Sequence, residues 1–265
     1  MATRTARAPA MLQSFVLHRY DWSESSLILD LFTREQGRLA VAAKGAKRPH
    51  SQLRPALLPF QRLHVTFARP RSEGDDAAPP DVVTLRSVDW AGGAAMLTGA
   101  ALFAGFHCNE LVMKFIARQD AHPQLFDAYA DTLPMLADAD DVQVQSALRA
   151  FELVLLRECG LLPDLAVVTQ TQRAVQAGER YALLPDTGVA PARAGDAGLA
   201  GSTLVGLQAA LGHGSMAALR QACRPALPEL KAALRGLVHY HLGTASLRTR
   251  RVMMDLQSIA NGPAR

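Results

Sequence analysis

The sequence predicts an α+β chain of more than one domain: a small β-barrel first, then a mainly α-helical region. Three observations predict it. Apolar and polar residues alternate in short runs between Leu12 and Val88, with turn-forming residues between the runs. Beyond Trp90 the apolar spacing changes to the i, i+3/i+4 pattern of helices. The positive charge is also uneven, because residues 1–71 carry 12 Lys/Arg against 4 Asp/Glu, whereas residues 72–265 carry 16 against 20. That split suggests a polyanion-binding module joined to a near-neutral body.

The strands follow in order. Leu12 to His18 is apolar and stops at the turn-like Tyr20-Asp21-Trp22-Ser23. Ser26 to Thr33 places Leu27, Leu29 and Leu31 on one face. Arg34-Glu35-Gln36-Gly37 reads as a hairpin connection, because glycine accepts positive φ. Arg38 to Lys44 sets Leu39 and Val41 on one side, and Arg38 and Lys44 on the other. A loop, Gly45 to Arg54, precedes a fourth strand, Phe60 to Ala68, in which Leu63, Val65 and Phe67 alternate with Arg62, His64 and Thr66. Arg69 to Pro80 is rich in Pro, Gly, Asp and Ala and reads as a loop before a fifth strand, Asp81 to Val88. Five short strands in about 80 residues indicate a small antiparallel barrel or sandwich. The five-stranded OB-fold is one common answer, and closure removes sticky edges.

The helices come next. Gly93 to Arg118 is too apolar for a surface helix and reads as the central helix of the second domain. Pro123 suits the first turn of another helix, through Ala137. Val144, Leu148, Phe151 and Leu155 form an amphipathic stripe closed by Gly160 and Pro163. Residues 164–202 are irregular, with a short hairpin expected over Tyr181 to Val189. Helices are expected at 203–211, 215–222, 226–242 and Arg248–Ile259. The expected organisation is a flexible tail at 1–10, a barrel domain at 11–90, and a helical domain at 91–265 with an irregular insert near 160–205.

Other classes find little support. No apolar run reaches the roughly 18 residues of a membrane span. The N-terminus carries charge with no apolar stretch behind it, so no signal peptide is expected and a cytoplasmic location follows by default. Cys108, Cys159 and Cys223 are few, odd in number and far apart, which fits a reducing compartment. No phosphate-binding glycine loop is present. Gly212-His-Gly-Ser215 resembles a nucleophile elbow superficially and reads better as a helix-start turn. His107-Cys108 and His239-x-His241 lack ligand geometry on a helix, and Asp138, Asp140 and Asp141 read as a solvated N-cap region. A binder is therefore expected rather than an enzyme, with no metal and no cofactor.

The informative segment is Arg34 to Arg54. It holds Arg34, Arg38, Lys44, Lys47, Arg48 and Arg54, with Glu35 as its only acid. Cations around a small-residue bend can follow a phosphate backbone without reading bases. Tyr20, Trp22 and Phe60 could stack on bases if exposed; barrel core or rim packing is the alternative for each, and the preferred one for Phe60 and Phe67.

The run Phe15-Val-Leu-His-Arg-Tyr-Asp-Trp-Ser-Glu-Ser-Ser-Leu-Ile-Leu-Asp-Leu-Phe-Thr-Arg-Glu-Gln-Gly-Arg-Leu-Ala-Val-Ala-Ala-Lys-Gly-Ala-Lys-Arg-Pro49 closely resembles the start of the bacterial RecO family. Leu58-Pro-Phe60, Leu148-Arg-Ala-Phe-Glu-Leu-Val-Leu-Leu-Arg-Glu-Cys-Gly160 and Leu242-Gly-Thr-Ala-Ser-Leu-Arg-Thr-Arg250 fit the same family in order. The resemblance implies an N-terminal OB-fold and a helical C-terminal domain. It implies binding of single- and double-stranded DNA, strand annealing, and work with RecR to load RecA onto DNA coated by single-stranded DNA-binding protein, whose acidic C-terminal tail is contacted. Some members carry four zinc-binding cysteines in the C-terminal domain. Residues 160–205 here contain none, so no zinc is expected and other packing must hold the insert.

On this reading Arg34, Arg38, Lys44, Lys47, Arg48 and Arg54 would bind DNA. Arg248, Arg250 and Arg251 form a candidate second basic patch, and Arg149 and Arg157 are candidate contacts for the partner tail. An RNA-binding OB-fold protein of translation or RNA processing is the competing reading. A nucleic-acid-modifying enzyme and a protein-only scaffold are further alternatives.

Overall fold

The computed structural model describes residues 10–68, 81–93, 96–137, 140–193, 198–243 and 247–260, and no side chain beyond Asp255. The chain divides into two compact units, Met1–Ala94 with Ile116–Phe126, and Ala95–Phe115 with Asp127–Arg265.

In the first unit five strands form a closed barrel: β1 (Leu12–Asp21), β2 (Leu27–Thr33), β3 (Gly37–Ala43), β4 (Gln61–Phe67) and β5 (Val82–Gly93), with a short helix α1 (Leu53–Ala56) between β3 and β4. The order around the barrel is β1-β2-β3-β5-β4, and β4 closes back on β1. The β3–β5 pairing is parallel and the others are antiparallel. This is the OB-like barrel the sequence predicts, with one departure from the expected antiparallel pairing: β3 and β5 run parallel. One strand, β1, serves two neighbours: Leu12–Phe15 pair with β4 and Ser14–Asp21 with β2. A register shift between Val16 and His18 bends it to do so.

The alternation fills the interior. Val16, Leu29, Leu31, Val41, Leu63 and Val65 are fully buried in one cluster, each contributing about 1.5–3 kcal/mol of apolar burial. Leu57, at the end of α1, and the partly buried Leu53 join that cluster and close one end of the barrel. β5 is longer than its sequence suggests. It runs past Val88 because Leu63 pairs with Trp90 and Gln61 with Gly93. The loop residues 69–80 lie outside the described residues.

The segment Ile116–Phe126 covers part of the barrel's outer surface. Phe126 packs against Phe15 and Phe32, with ring centroids 5.2 and 5.4 Å apart. The Gln119 N–H donates to the Arg38 carbonyl at 2.9 Å. Gly37, at φ +68°, lies so close that a Cβ there would sit 1.8 Å from the Asp120 carbonyl oxygen, so no other residue fits this turn.

The second unit contains helices α2 (Gly99–Phe115), α3 (Pro123–Leu136, whose first turn belongs to the barrel unit), α4 (Asp141–Glu158), α5 (Gly201–His213), α6 (Met216–Cys223), α7 (Leu227–Leu242) and α8 (Arg248–Ala260). α4 is its centre, since every residue from Ser146 to Leu156 is buried. Its N-terminus is capped by Asp140, whose carboxylate accepts from the Val142 N–H at 3.0 Å; Asp138 lies outside the described residues. Ser215 caps α6 by accepting from the Ala218 N–H, so Gly212–Ser215 is a helix boundary as the sequence suggests.

The insert holds β6 (Val167–Val168) paired with β7 (Arg173–Ala174), and a sheet ordered β10 (Leu199–Ala200), β8 (Arg180–Leu184), β9 (Gly188–Pro191). Hydrogen bonds staple it. Thr169 Oγ1 accepts from the Val189 N–H at 2.9 Å. The buried Tyr181 hydroxyl accepts from the Gln176 N–H at 2.9 Å and donates to Glu179 at 2.8 Å. Gly188 leaves room for Thr169, whose Oγ1 would lie 2.2 Å from any Cβ at that position.

Candidate nucleic-acid interface

At the α1-capped end of the barrel β3 runs out into Lys44–His50. Ala46 is fully buried in the barrel cluster and anchors the bend, so its charged neighbours project outward. The bend is fastened to the β1–β2 loop. The Lys47 N–H donates to the Ser25 carbonyl at 2.9 Å, and its ammonium donates to Asp21 at 3.0 Å and the Ser23 carbonyl at 2.9 Å. Lys44, Arg48 and Arg54 are exposed. The chain from the bend to α1 is a run of turns, with the Ser51 N–H on the Arg48 carbonyl and the Arg54 N–H on the Ser51 carbonyl. Asp21 is open to solvent, and a surface pair such as Lys47–Asp21 is worth only about 0–1 kcal/mol, so an incoming phosphate can compete for the lysine.

Exposed aromatic residues stand beside these cations. Trp22 is 57% exposed and Tyr20 47% exposed, at the end of β1 and in the loop that receives Lys47. Phe60, the third aromatic candidate, is buried in the core and offers no ring for stacking.

Two of the six predicted cations lie elsewhere. Arg34 sits in the β2–β3 turn and Arg38 at the start of β3, the opposite end of that strand from Lys44 and roughly 20 Å away at strand spacing. Arg38 is moreover occupied. Its guanidinium meets the buried Asp30 carboxylate at 2.6 Å and donates to the Ile116 carbonyl at 2.8 Å. The alternation places it opposite Leu39 and Val41, but that outward face is covered, and the side chain is spent on the fold.

The second unit contains a groove of about 730 Å³ between α2, α4, α7 and α8. Phe103, Leu148, Val238, Leu247 and Met253 supply apolar walls, and Lys231, Arg235 and Arg250 supply cations. Arg235 and Arg250 crowd one another. Burial, then the neighbouring Arg250 and Arg149, push Arg235 below its usual pKa, and burial with Arg250 and Arg235 does the same to His239. Lys231 and Arg235 are residues the sequence reading missed. Their signal is an i, i+4 cationic pair beside the apolar Leu230, Leu234 and Val238 of α7.

Of the predicted tail contacts, Arg149 lines this groove but is buried and paired with Glu152 at 2.7 Å. Glu152 also receives His107 at 3.0 Å. Burial is the largest influence on Glu152 and raises its pKa, yet Arg149 and His107 together hold it below the ordinary carboxylate value. Arg157 is outside the groove, donating to the Leu211 carbonyl at 2.5 Å. The sequence offers both arginines as candidate tail contacts, whereas Arg149 is buried in α4 and its charge is taken up by Glu152.

The C-terminal trio also divides. Arg250 lines the groove, whereas Arg248 and Arg251 are exposed outside its lining. Glu110 on α2 fixes the start of α8 by accepting from the Arg248 N–H (2.8 Å), the Thr249 N–H (2.9 Å) and the Thr249 hydroxyl (2.7 Å).

Among the described residues no three His, Cys, Asp or Glu side chains are placed to hold a metal ion. Burial pushes the Cys108 thiol far up and Cys223 up to about 12, which leaves both unreactive at neutral pH. No described helix is long and apolar enough to cross a membrane.

Two family models match the chain: Recombination protein O N terminal over residues 11–75 and Recombination protein O C terminal over residues 96–251. The DNA repair protein RecO of Polaromonas sp. (strain JS666 / ATCC BAA-500) is 48% identical over 248 residues, covering 93% of this chain and 96% of the relative. That of Verminephrobacter eiseniae (strain EF01-2) is 46% identical over 260 residues, covering 97% and 99%.

Proposed function

Since the chain belongs to the RecO family of DNA repair proteins, we propose that it is a non-enzymatic recombination mediator, which binds and anneals DNA strands and, with RecR, helps load RecA onto DNA coated by single-stranded DNA-binding protein. The observation that carries the DNA-binding reading is the hydrogen-bonded junction of the 44–48 bend with the β1–β2 loop, which sets Lys44, Lys47 and Arg48 beside the exposed Trp22. Cations that neutralise phosphates release counterions and give salt-dependent, sequence-tolerant affinity. Screening phosphates on two complementary strands also lowers their repulsion, which is a physical route to annealing.

The groove in the helical unit supports the partner reading. An acidic peptide ending in apolar side chains needs an apolar slot flanked by cations, and Lys231, Arg235 and Arg250 flank one. On this reading they, rather than the sequence candidates Arg149 and Arg157, meet the tail.

Annealing of complementary oligonucleotides precoated with single-stranded DNA-binding protein tests both halves. The expected result is fast annealing with the intact coat protein and slow annealing with a tail-deleted one. Equal rates with both reject tail recognition, and no acceleration on bare or coated strands rejects the mediator role.

A further inference from the structure

OB-folds commonly offer nucleic acid the outer face of their second and third strands. Here that face is closed. Phe32 is packed on Phe126, Arg38 is tied to Asp30 and Ile116, and Ala40 and Ala42 are buried. The α1-capped end is different. The chain has two tryptophans and both are exposed there, Trp22 at 57% and Trp90 at 67%. β5 runs parallel to β3, so it carries Trp90 toward the end where β3 becomes the basic bend. α1, which bears Arg54, packs against β5. The Trp90 indole N–H donates to Gln61 Oε1 at 3.0 Å, which fixes the ring while most of it stays open to solvent.

Around the barrel the β1–β2 loop, the exit of β3 and the end of β5 follow one another. We infer that single-stranded DNA crosses this capped end, with bases stacking on Trp22 and Trp90 at its two sides and Lys44, Arg48 and Arg54 holding the phosphates between them. The inference rests on the proposed DNA-binding role and names its surface. Every base offers a π-face, so stacking adds affinity without reading sequence. It also adds affinity without releasing counterions, which separates its signature from that of the lysines.

Because only two tryptophans exist, W22F leaves Trp90 as the sole indole of the full-length chain, and W90F leaves Trp22. Titration with oligo-dT is expected to quench the fluorescence of each. W90A is expected to weaken oligo-dT binding roughly tenfold, an ordinary loss for a stacking aromatic, with the salt slope unchanged and with W90F retaining most of the affinity. An unquenched Trp90 together with unchanged W90A affinity would overturn the inference. If K44A/K47A/R48A still weakens binding in that case, the basic bend survives as the DNA site and only the capped-end path is lost. If that variant also binds normally, the DNA-binding reading of the barrel falls with it. Far-UV circular dichroism checks that each variant is folded, which the exposure of both indoles favours.

Discussion

The two units spend their cations differently. In the barrel unit Lys44, Arg48 and Arg54 leave a loop and a short helix into solvent. In the helical unit the central helix buries Arg149 against Glu152 and turns Arg157 onto a carbonyl. Arg38 is the barrel's own example of the second kind. A cation inside a regular element whose every face is covered must find its counter-charge in the fold, because leaving it buried and unpaired costs several kcal/mol. A cation on a connecting loop has no such obligation and is available to a ligand. On the proposed DNA-binding reading, position in the architecture, rather than the number of charges, separates candidate binding residues from structural ones.

Removing internal partners should produce the largest losses of stability. E152A strands the buried Arg149 and His107 and is expected to cost about 3–5 kcal/mol in denaturant unfolding of the helical unit. The pH dependence follows the same pair. Glu152 and Glu110 are both held below the ordinary carboxylate value. Their stabilisation is therefore complete above the unfolded-chain pKa of about 4.3 and is lost as pH falls through the folded values. Thermal melting should decline below about pH 4, less steeply in E152Q than in the parent. Next, R38A leaves Asp30 without its guanidinium partner and is expected to destabilise the barrel by about 1–3 kcal/mol. A stability loss under ~0.5 kcal/mol would place Arg38 among the ligand-facing cations after all.

Arg38 and Arg149 also show where sequence reading reaches its limit. The barrel strands were legible because one alternating face enters a single cluster, from Leu12 to Leu85. What covers the other face was not legible, because Ile116 lies 78 residues beyond its partner Arg38, and Phe126 is more distant still from Phe32, in stretches whose apolar spacing reads as helix. The signal for Arg149 was local, Glu152 at i+3, yet it needed the knowledge that α4 is buried all round. The exposure of the β3–α1 cations was legible because a Gly-Ala bend with adjacent charges has few structural uses. Trp90 was missed because β5 was read as ending at Val88, which left the indole in a linker.

Smaller effects sharpen the comparison. E110A removes three hydrogen bonds at the start of α8 and should cost about 1 kcal/mol, as loss of a helix cap does. It should also loosen the groove wall bearing Arg250 and Met253, and so weaken binding of a fluorescent acidic peptide several-fold while leaving oligo-dT affinity unchanged. K231A/R235A should weaken the same peptide without changing the melting temperature. The smallest stability effect belongs to K44A/K47A/R48A, within about 0.5 kcal/mol of the parent.

That last variant also gives the most direct test of the central claim, that the loop cations of the barrel hold nucleic acid while the internal ones hold the fold. The measurement is the dependence of oligo-dT affinity on salt for the parent, K44A/K47A/R48A and R38A. Three lost phosphate contacts should make the slope of log K against log salt shallower by about 2 in the triple variant, at about 0.7 per contact on a single strand. R38A, measured where it is folded, should keep the parent slope. A triple variant with the parent slope, or an R38A slope that falls like the triple variant's, would contradict it.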